Sequence, residues 1–381
     1  MGIYSNVESH RRMNFDGVRN PLYAKAIRDA VTSRSIVLDL GAGLGMLGFI
    51  AAQAGARKVY MVEPEPVIEV TRKIAQVNGL KNVECIQTRV ESLELAEKAD
   101  LIVSVLTGNF LLTEDLLPSL FHARDRFLAE GGRLIPDRAR MMAAPVSVPA
   151  YYRENIQNWS IEQAKRDGIE CFGIDYVAAR SYAANTLFYD EAGKFKAKLL
   201  ADPECLVDMN FMTATSAGCD GAFKSAVKED GECHGWLGWF DMRLGEQWLS
   251  TSPDADPTHW RQVFMPIKEP LTVKAGQSLG FALQRPEHGE WTWTTDFEGK
   301  RQRQSTFLSE PLTPEKVSRK SDTFQPSLNV RGEATNYVLA HFKGKESSGA
   351  LADAVWQKFG DLFSSPAEAL RFVKALADKF G

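Results

Sequence analysis

Cysteine is sparse in this chain. Cys85, Cys171, Cys205, Cys219 and Cys233 are odd in number, widely separated, and form no CxxC pair. That usage argues against a disulfide framework and a structural zinc site; a reduced chain with no metal is expected. Long apolar runs are missing too, and nothing approaches the ~20 residues a membrane-spanning helix needs. The first residues lack the basic-then-apolar pattern of a secretion signal, so a cytoplasmic location without a membrane partner is expected. No excess of one charge exists: 45 Lys and Arg stand against 49 Asp and Glu, a net charge of −4. Such a balance offers no overall footprint for nucleic acid. What remains is 381 residues, 44% hydrophobic and 25% charged. These are the proportions of a globular protein of two domains, with room for a small third.

Residues 36–145 read as alternating strands and helices. Ile36-Val37-Leu38-Asp39-Leu40 is the apolar, β-branched run of a strand buried on both faces, glycines follow, and Met46 to Ala54 continue as a helix. Val59–Val62, Val83–Ile86 and Leu101–Ser104 are further strands, with a helix over 67–78. This rhythm predicts an α/β, Rossmann-like parallel sheet with helices on both faces. From about 187 to 307 apolar residues alternate with period two, as in Trp291-Thr292-Trp293-Thr294, which predicts an antiparallel, barrel-like β domain. The expected boundaries are 1–145 for the first domain, 146–310 for the second with an arm at about 151–183, a linker over 311–332, and a small helical appendage over 333–381. In the appendage, Ser365-Pro366-Ala367-Glu368 is the start of a capped helix.

Asp39-Leu40-Gly41-Ala42-Gly43-Leu44-Gly45 closes a strand and opens a helix, where glycines let a ligand approach unpaired N–H groups. Glycines alone also serve plain packing. The run lacks the last glycine of the dinucleotide fingerprint, and Glu63 ends the second strand, where a carboxylate accepts both hydroxyls of a ribose.

Beyond these residues, the chain resembles the protein arginine methyltransferases. The resemblance rests on Val37 to Gly45, on Ala54-Gly55-Ala56-Arg57-Lys58-Val59, and on His10, Met13, Asp16, Arg19 and Tyr23 upstream. It continues through Val90-Glu91, Leu128-x-x-Gly131-Gly132-x-x-x-Pro136 and Thr258-His259-Trp260, covering about 4–299. It implies S-adenosyl-L-methionine as cofactor and S-adenosyl-L-homocysteine as product. Arg19 would pair with the cofactor carboxylate, Asp39, Gly41, Ala42 and Gly43 would line its methionine and ribose, Glu63 and Pro64 would hold the ribose, and Val90 and Glu91 would address the adenine. His259 and Asp16 would form a pair that is either a domain tie or a proton acceptor. Family members dimerise through an arm of the β domain, so a homodimer is implied, with Trp159 and Phe172 as anchors.

The family clamps a guanidinium between two glutamates of one loop after the fourth strand. Here that stretch is Ser104 to Asp115; the second glutamate is Glu114 and the first is replaced by Val105. One unmatched buried charge costs roughly 3–5 kcal/mol. Glu84 lies on another strand and Asp115 is expected to point elsewhere, so neither is a strong substitute. The expected catalytic residues are Glu114, His259 and Asp16, with Val105, Met13, Asn109, Trp260 and Tyr4 around the acceptor. The first expectation is therefore a methyltransferase with a changed acceptor, a small molecule or a peptide. The alternatives are an arginine methyltransferase using Glu114 alone, or a non-catalytic scaffold. The appendage faintly resembles winged-helix modules that grip peptides; a helical brace or a dimer contact is the more ordinary expectation.

Overall fold

The computed structural model describes residues 6–381, which fall into two compact units, 6–311 and 312–381. The first unit begins with α1 (Val7–Asn14), where the Asn6 side chain accepts the Ser9 N–H and so caps the helix. α2 (Arg19–Ala30) follows and buries Tyr23 and Ile27.

Five strands then alternate with three helices: β1 (Ile36–Leu40), α3 (Met46–Gln53), β2 (Lys58–Glu63), α4 (Ile68–Val77), β3 (Val83–Gln87), β4 (Ala99–Ser104), α5 (Leu117–Phe127) and β5 (Leu128–Ile135). They form a parallel sheet in the order β3-β2-β1-β4-β5. All five residues of β1 are buried, as its apolar run requires at the centre of a sheet covered on both faces. The chain leaves β1 for β2 on one side and later returns to β4 on the other. The carboxyl ends of β1 and β4 therefore flank the switch point, where open sheets of this kind place ligands.

Antiparallel pairing starts with β6 (Arg138–Ser147), which lies against β11 rather than the parallel sheet. The second layer thus begins eight residues before the boundary expected at 146. An arm of short helices interrupts it: α6 (Pro149–Asn155), α7 (Ile161–Arg166) and α8 (Arg180–Ala183). The remaining strands are β7 (Phe188–Asp190), β8 (Lys198–Leu199), β9 (Glu204–Asn210), β10 (Cys219–Ala226), β11 (Gly231–Leu244), β12 (Gln247–Ser250), β13 (Gln262–Val273), β14 (Ser278–Arg285), β15 (Thr292–Phe297) and β16 (Lys300–Ser305). They make a four-stranded sheet, β10-β14-β15-β16, and a seven-stranded one whose path is β7-β13-β11-β6-β8. Trp236 of β11 joins the two: its ring stacks on Phe281 at 4.4 Å and its N–H donates to the Thr295 hydroxyl at 2.9 Å.

The second unit holds α9 (Pro314–Arg319), α10 (Val330–Ala340), α11 (Ser348–Phe359) and α12 (Pro366–Phe380) around Val338, Leu351, Val355 and Val373. Ser365 accepts the Glu368 N–H, the cap read from its sequence. Its described residues contain no strand, so the wing of a winged helix is absent and that resemblance is corrected. The expected linker also carries structure, because Thr313 caps α9 through the Lys316 N–H.

Candidate active site

The turn after β1 is built by backbone. The Gly41 and Ala42 N–H groups donate to the Val62 carbonyl at 2.9 and 3.0 Å, which fastens the turn to the end of β2. Gly43 has φ +53°, and a Cβ there would lie 2.8 Å from the His10 ring, so position 43 has no room for a side chain. Its N–H donates to Glu63 Oε2 at 2.9 Å, while the Glu65 N–H takes Glu63 Oε1 at 3.0 Å. Glu63 is thereby aimed back over the turn. Asp39 Oδ2 accepts the Gly48 N–H at 2.7 Å. Burial raises both carboxyls above their ordinary values, Asp39 to about 7.

Arg19 faces them from α2. Its Nη2 donates to the Met13 carbonyl at 2.6 Å and its Nε to Asn20 Oδ1 at 2.9 Å. Nη1 is buried without a partner. Burial holds this guanidinium below its ordinary pKa.

The loop after β4 supplies the other wall. The Thr107 carbonyl accepts the Trp260 indole N–H at 2.9 Å, and Asn109 Oδ1 accepts the Arg261 N–H at 2.7 Å. Both bonds pull the loop onto the β domain. Phe110, Leu111 and Asp115 all have positive φ, a conformation that costs free energy unless surrounding contacts enforce it. The Thr113 hydroxyl donates to the Asn109 carbonyl and closes the loop on itself. Glu84 is taken by Lys58 at 2.6 Å, and Asp115 by Arg285 at 2.8 Å. Both carboxylates are therefore already paired with cations of their own.

Asp16 is the hinge of the arrangement. Its Oδ1 accepts the Val18 and Arg19 N–H groups at 3.1 and 2.8 Å. Its Oδ2 accepts the His259 backbone N–H and meets His259 Nδ1, both at 2.9 Å. Burial alone would raise the Asp16 pKa, but the bonds from His259 and Arg19 hold it well below the ordinary carboxylate value. Burial keeps His259 below its ordinary value despite Asp16, so the ring is neutral near pH 7. With an ionised carboxylate at Nδ1, the proton sits there and the lone pair sits on Nε2.

One cavity of about 430 Å³ connects these groups. Met13, Arg19, Asp39, Gly41, Ala42, Gly43, Glu63, Pro64, Val105, Asn109, Glu114, His259 and Trp260 all line it. Asp16 stands behind the wall, bonded to His259. Val90 is buried in the core, and Glu91 accepts the Ser119 hydroxyl at 3.1 Å; neither lines the cavity. Tyr4 lies outside the described residues.

Comparison with known proteins matches residues 32–182 to a methyltransferase domain and residues 137–298 to the arginine methyltransferase oligomerization subdomain. Protein arginine N-methyltransferase 6 of Xenopus laevis is 31% identical over 286 residues, 71% of this chain and 81% of that one. The chain belongs to the protein arginine methyltransferase family. The probable histone-arginine methyltransferase CARM1 of Oryza sativa subsp. indica is 30% identical over 76% of this chain, which spans only 57% of that longer relative. Among solved structures, the Trypanosoma brucei PRMT1 enzyme–prozyme heterotetrameric complex with AdoHcy has a TM-score of 0.72 at 27% identity, covering 80% of this chain and 99% of that one. Arabidopsis thaliana protein arginine methyltransferase 10 follows at 0.67 and 26%, with the same coverage.

The family's cofactor, S-adenosylmethionine, fits the residues present. The unpartnered Arg19 Nη1 is a donor for a carboxylate. Glu63, pinned by two N–H groups, keeps lone pairs for ribose hydroxyls. Sequence reasoning left His10 without a role in the site, although it is buried and lines the cavity. Only the spacing of the upstream helix hinted at it. Leu106 and Thr107 were missed as well, and no pattern marked them.

Proposed function

We propose that this chain transfers the methyl group of S-adenosylmethionine to a guanidino nitrogen of arginine in a peptide or protein, with Glu114 as the carboxylate that holds the acceptor. The observation that carries this reading is convergence: Glu114, His259 and Trp260 line the same cavity as Arg19, Asp39 and Glu63. The cofactor brings an already activated methyl sulfonium. Arg19 orients it through its carboxylate, Asp39 and Glu63 fix its sugar, and the β4 loop and Trp260 exclude water and align the nucleophile. Neutral His259 offers Nε2 as acceptor for the proton released on transfer. The family relatives named above support arginine as the acceptor class.

Val105 favours a second reading. By the family resemblance an isopropyl group takes the place expected of a carboxylate, and Val105 lines this cavity, so a less basic nitrogen or a hydroxyl in a small molecule or peptide would suit the site better than it would suit a two-glutamate site. We also propose that the chain dimerises through its arm, since Trp159, Ile169, Phe172, Ile174 and Tyr176 are all exposed there.

Labelled methyl transfer should be offered in parallel to arginine-rich peptides, free arginine and a fractionated small-molecule extract, with mass spectrometry locating the methyl group. Label on peptide arginine is the expected result. Label confined to the extract moves the second reading to first place, and no label in any arm supports a scaffold. Val105→Glu should raise transfer to arginine peptides about tenfold or more. A variant that binds cofactor normally yet gains nothing shows that position 105 does not select the acceptor.

A further inference from the structure

We propose that the Asp115–Arg285 ion pair is a positioning device that sets the β4 loop, and with it Glu114, in the geometry of transfer; this rests on the reading of Glu114 above. Arg285 ends β14, in the β domain, and Asp115 directly follows Glu114. A single nitrogen, Nη2, reaches both oxygens of Asp115 at 2.8 Å. The guanidinium lies 5.0 Å from the centre of the Trp291 ring, and the Phe110 ring stacks on that same indole at 5.6 Å. One tryptophan of the β domain thus touches Phe110 directly and reaches Asp115 through Arg285.

Two features set this apart from ordinary packing. Arg285 is 4% exposed, and its Nε and Nη1 are buried without hydrogen-bond partners. A guanidinium so incompletely satisfied is a poor way to gain stability, and apolar residues of similar volume usually do at least as well. The loop it holds has left-handed backbone at Phe110, Leu111 and Asp115, which only enclosing contacts maintain. A strained loop and a costly buried charge meeting beside Glu114 is the pattern of a site that gives up stability for geometry. His288 Nδ1 approaches Asp115 at 3.6 Å from the surface but is exposed and makes no comparable enclosure.

The test uses the full chain with three variants, Arg285→Met, Arg285→Lys and Glu114→Gln. Backbone hydrogen exchange at 108–115 is read alongside kcat and KM on an arginine-rich peptide. Arg285→Met should speed exchange in that segment at least tenfold and leave the 41–45 turn unchanged. It should also lower kcat about a hundredfold, the scale of a 1 Å misplacement, with KM and S-adenosylhomocysteine affinity little altered. Arg285→Lys, which keeps the cation, should recover part of kcat and covers the case in which the methionine variant does not fold. Unchanged exchange overturns the proposal. So does a kcat that survives Arg285→Met while Glu114→Gln abolishes it. A gain in activity from Arg285→Met also overturns it, because a released Asp115 would then be acting as the second acid. If Glu114→Gln leaves kcat intact, the acceptor reading fails, and hydrogen exchange alone decides whether the pair holds the loop.

Discussion

Fully buried at the end of β1 and beside Glu63, Asp39 is pushed by burial up to about 7 from 3.8. A carboxyl with a raised native pKa binds its proton more tightly folded than unfolded, so its contribution to stability is present below the unfolded value and is lost as pH rises through the native one. Three pKa units correspond to roughly 4 kcal/mol. Asp39→Asn keeps an acceptor for the Gly48 N–H and removes the titration. The cofactor-free variant should therefore gain on the native protein between about pH 4 and pH 8, by up to roughly that amount, in urea unfolding at the two ends of the range. A constant difference across pH would mean that Asp39 does not titrate there. The place of Asp39 was legible from its strand; its protonation was not, because that depends on enclosure by α2 and α3.

At the scale of elements, the β1–α3 turn was readable in outline because apolar run, glycines and helix follow one another without a gap. Its tightness was not. Nothing in Asp39 to Gly45 announces that the His10 ring from α1 closes over Gly43, so the missing space at that position is a tertiary fact. Gly43→Ala should cost roughly 1–3 kcal/mol and weaken S-adenosylhomocysteine binding in calorimetry, since it adds left-handed strain to a clash. Gly55→Ala is the comparison: it shares positive φ, +93°, but meets nothing within 4 Å, so it should lose stability and keep the affinity. Equal affinity losses would show that strain, and not the His10 contact, sets the turn. Similarly, Glu114 was recognisable from its loop, whereas Arg285 was not, because the two residues of its ion pair lie far apart in sequence and no periodicity links them.

Across the whole molecule, the period-two alternation after 187 announced antiparallel strands but not their division into two sheets, which depends on long-range pairing. Nor did it show β6, whose residues continue the α/β region in sequence and pair elsewhere in space. The stretch expected to be an arm forms short helices between β6 and β7. Phe172 is 85% exposed and has φ +53°, so a large ring is presented outward at a backbone cost. On the proposed dimer, Phe172→Asp should weaken self-association at least tenfold in sedimentation equilibrium, because a charge would replace an exposed apolar ring. If the native chain is a monomer at every concentration, the arm has another use.

The two oxygens of Asp16 bear on how loss of function would look in this lineage. One ends the turn into α2, and the other holds the backbone and ring of His259 in the distant β domain. Selection for a folded protein alone would retain that carboxylate, and the histidine's tautomer would be inherited with it. The Asp16–His259 contact would thus be useful to the fold whether or not methyl transfer occurs. Their survival is therefore poor testimony that an enzyme still turns over, and the fate of position 114 is the better witness.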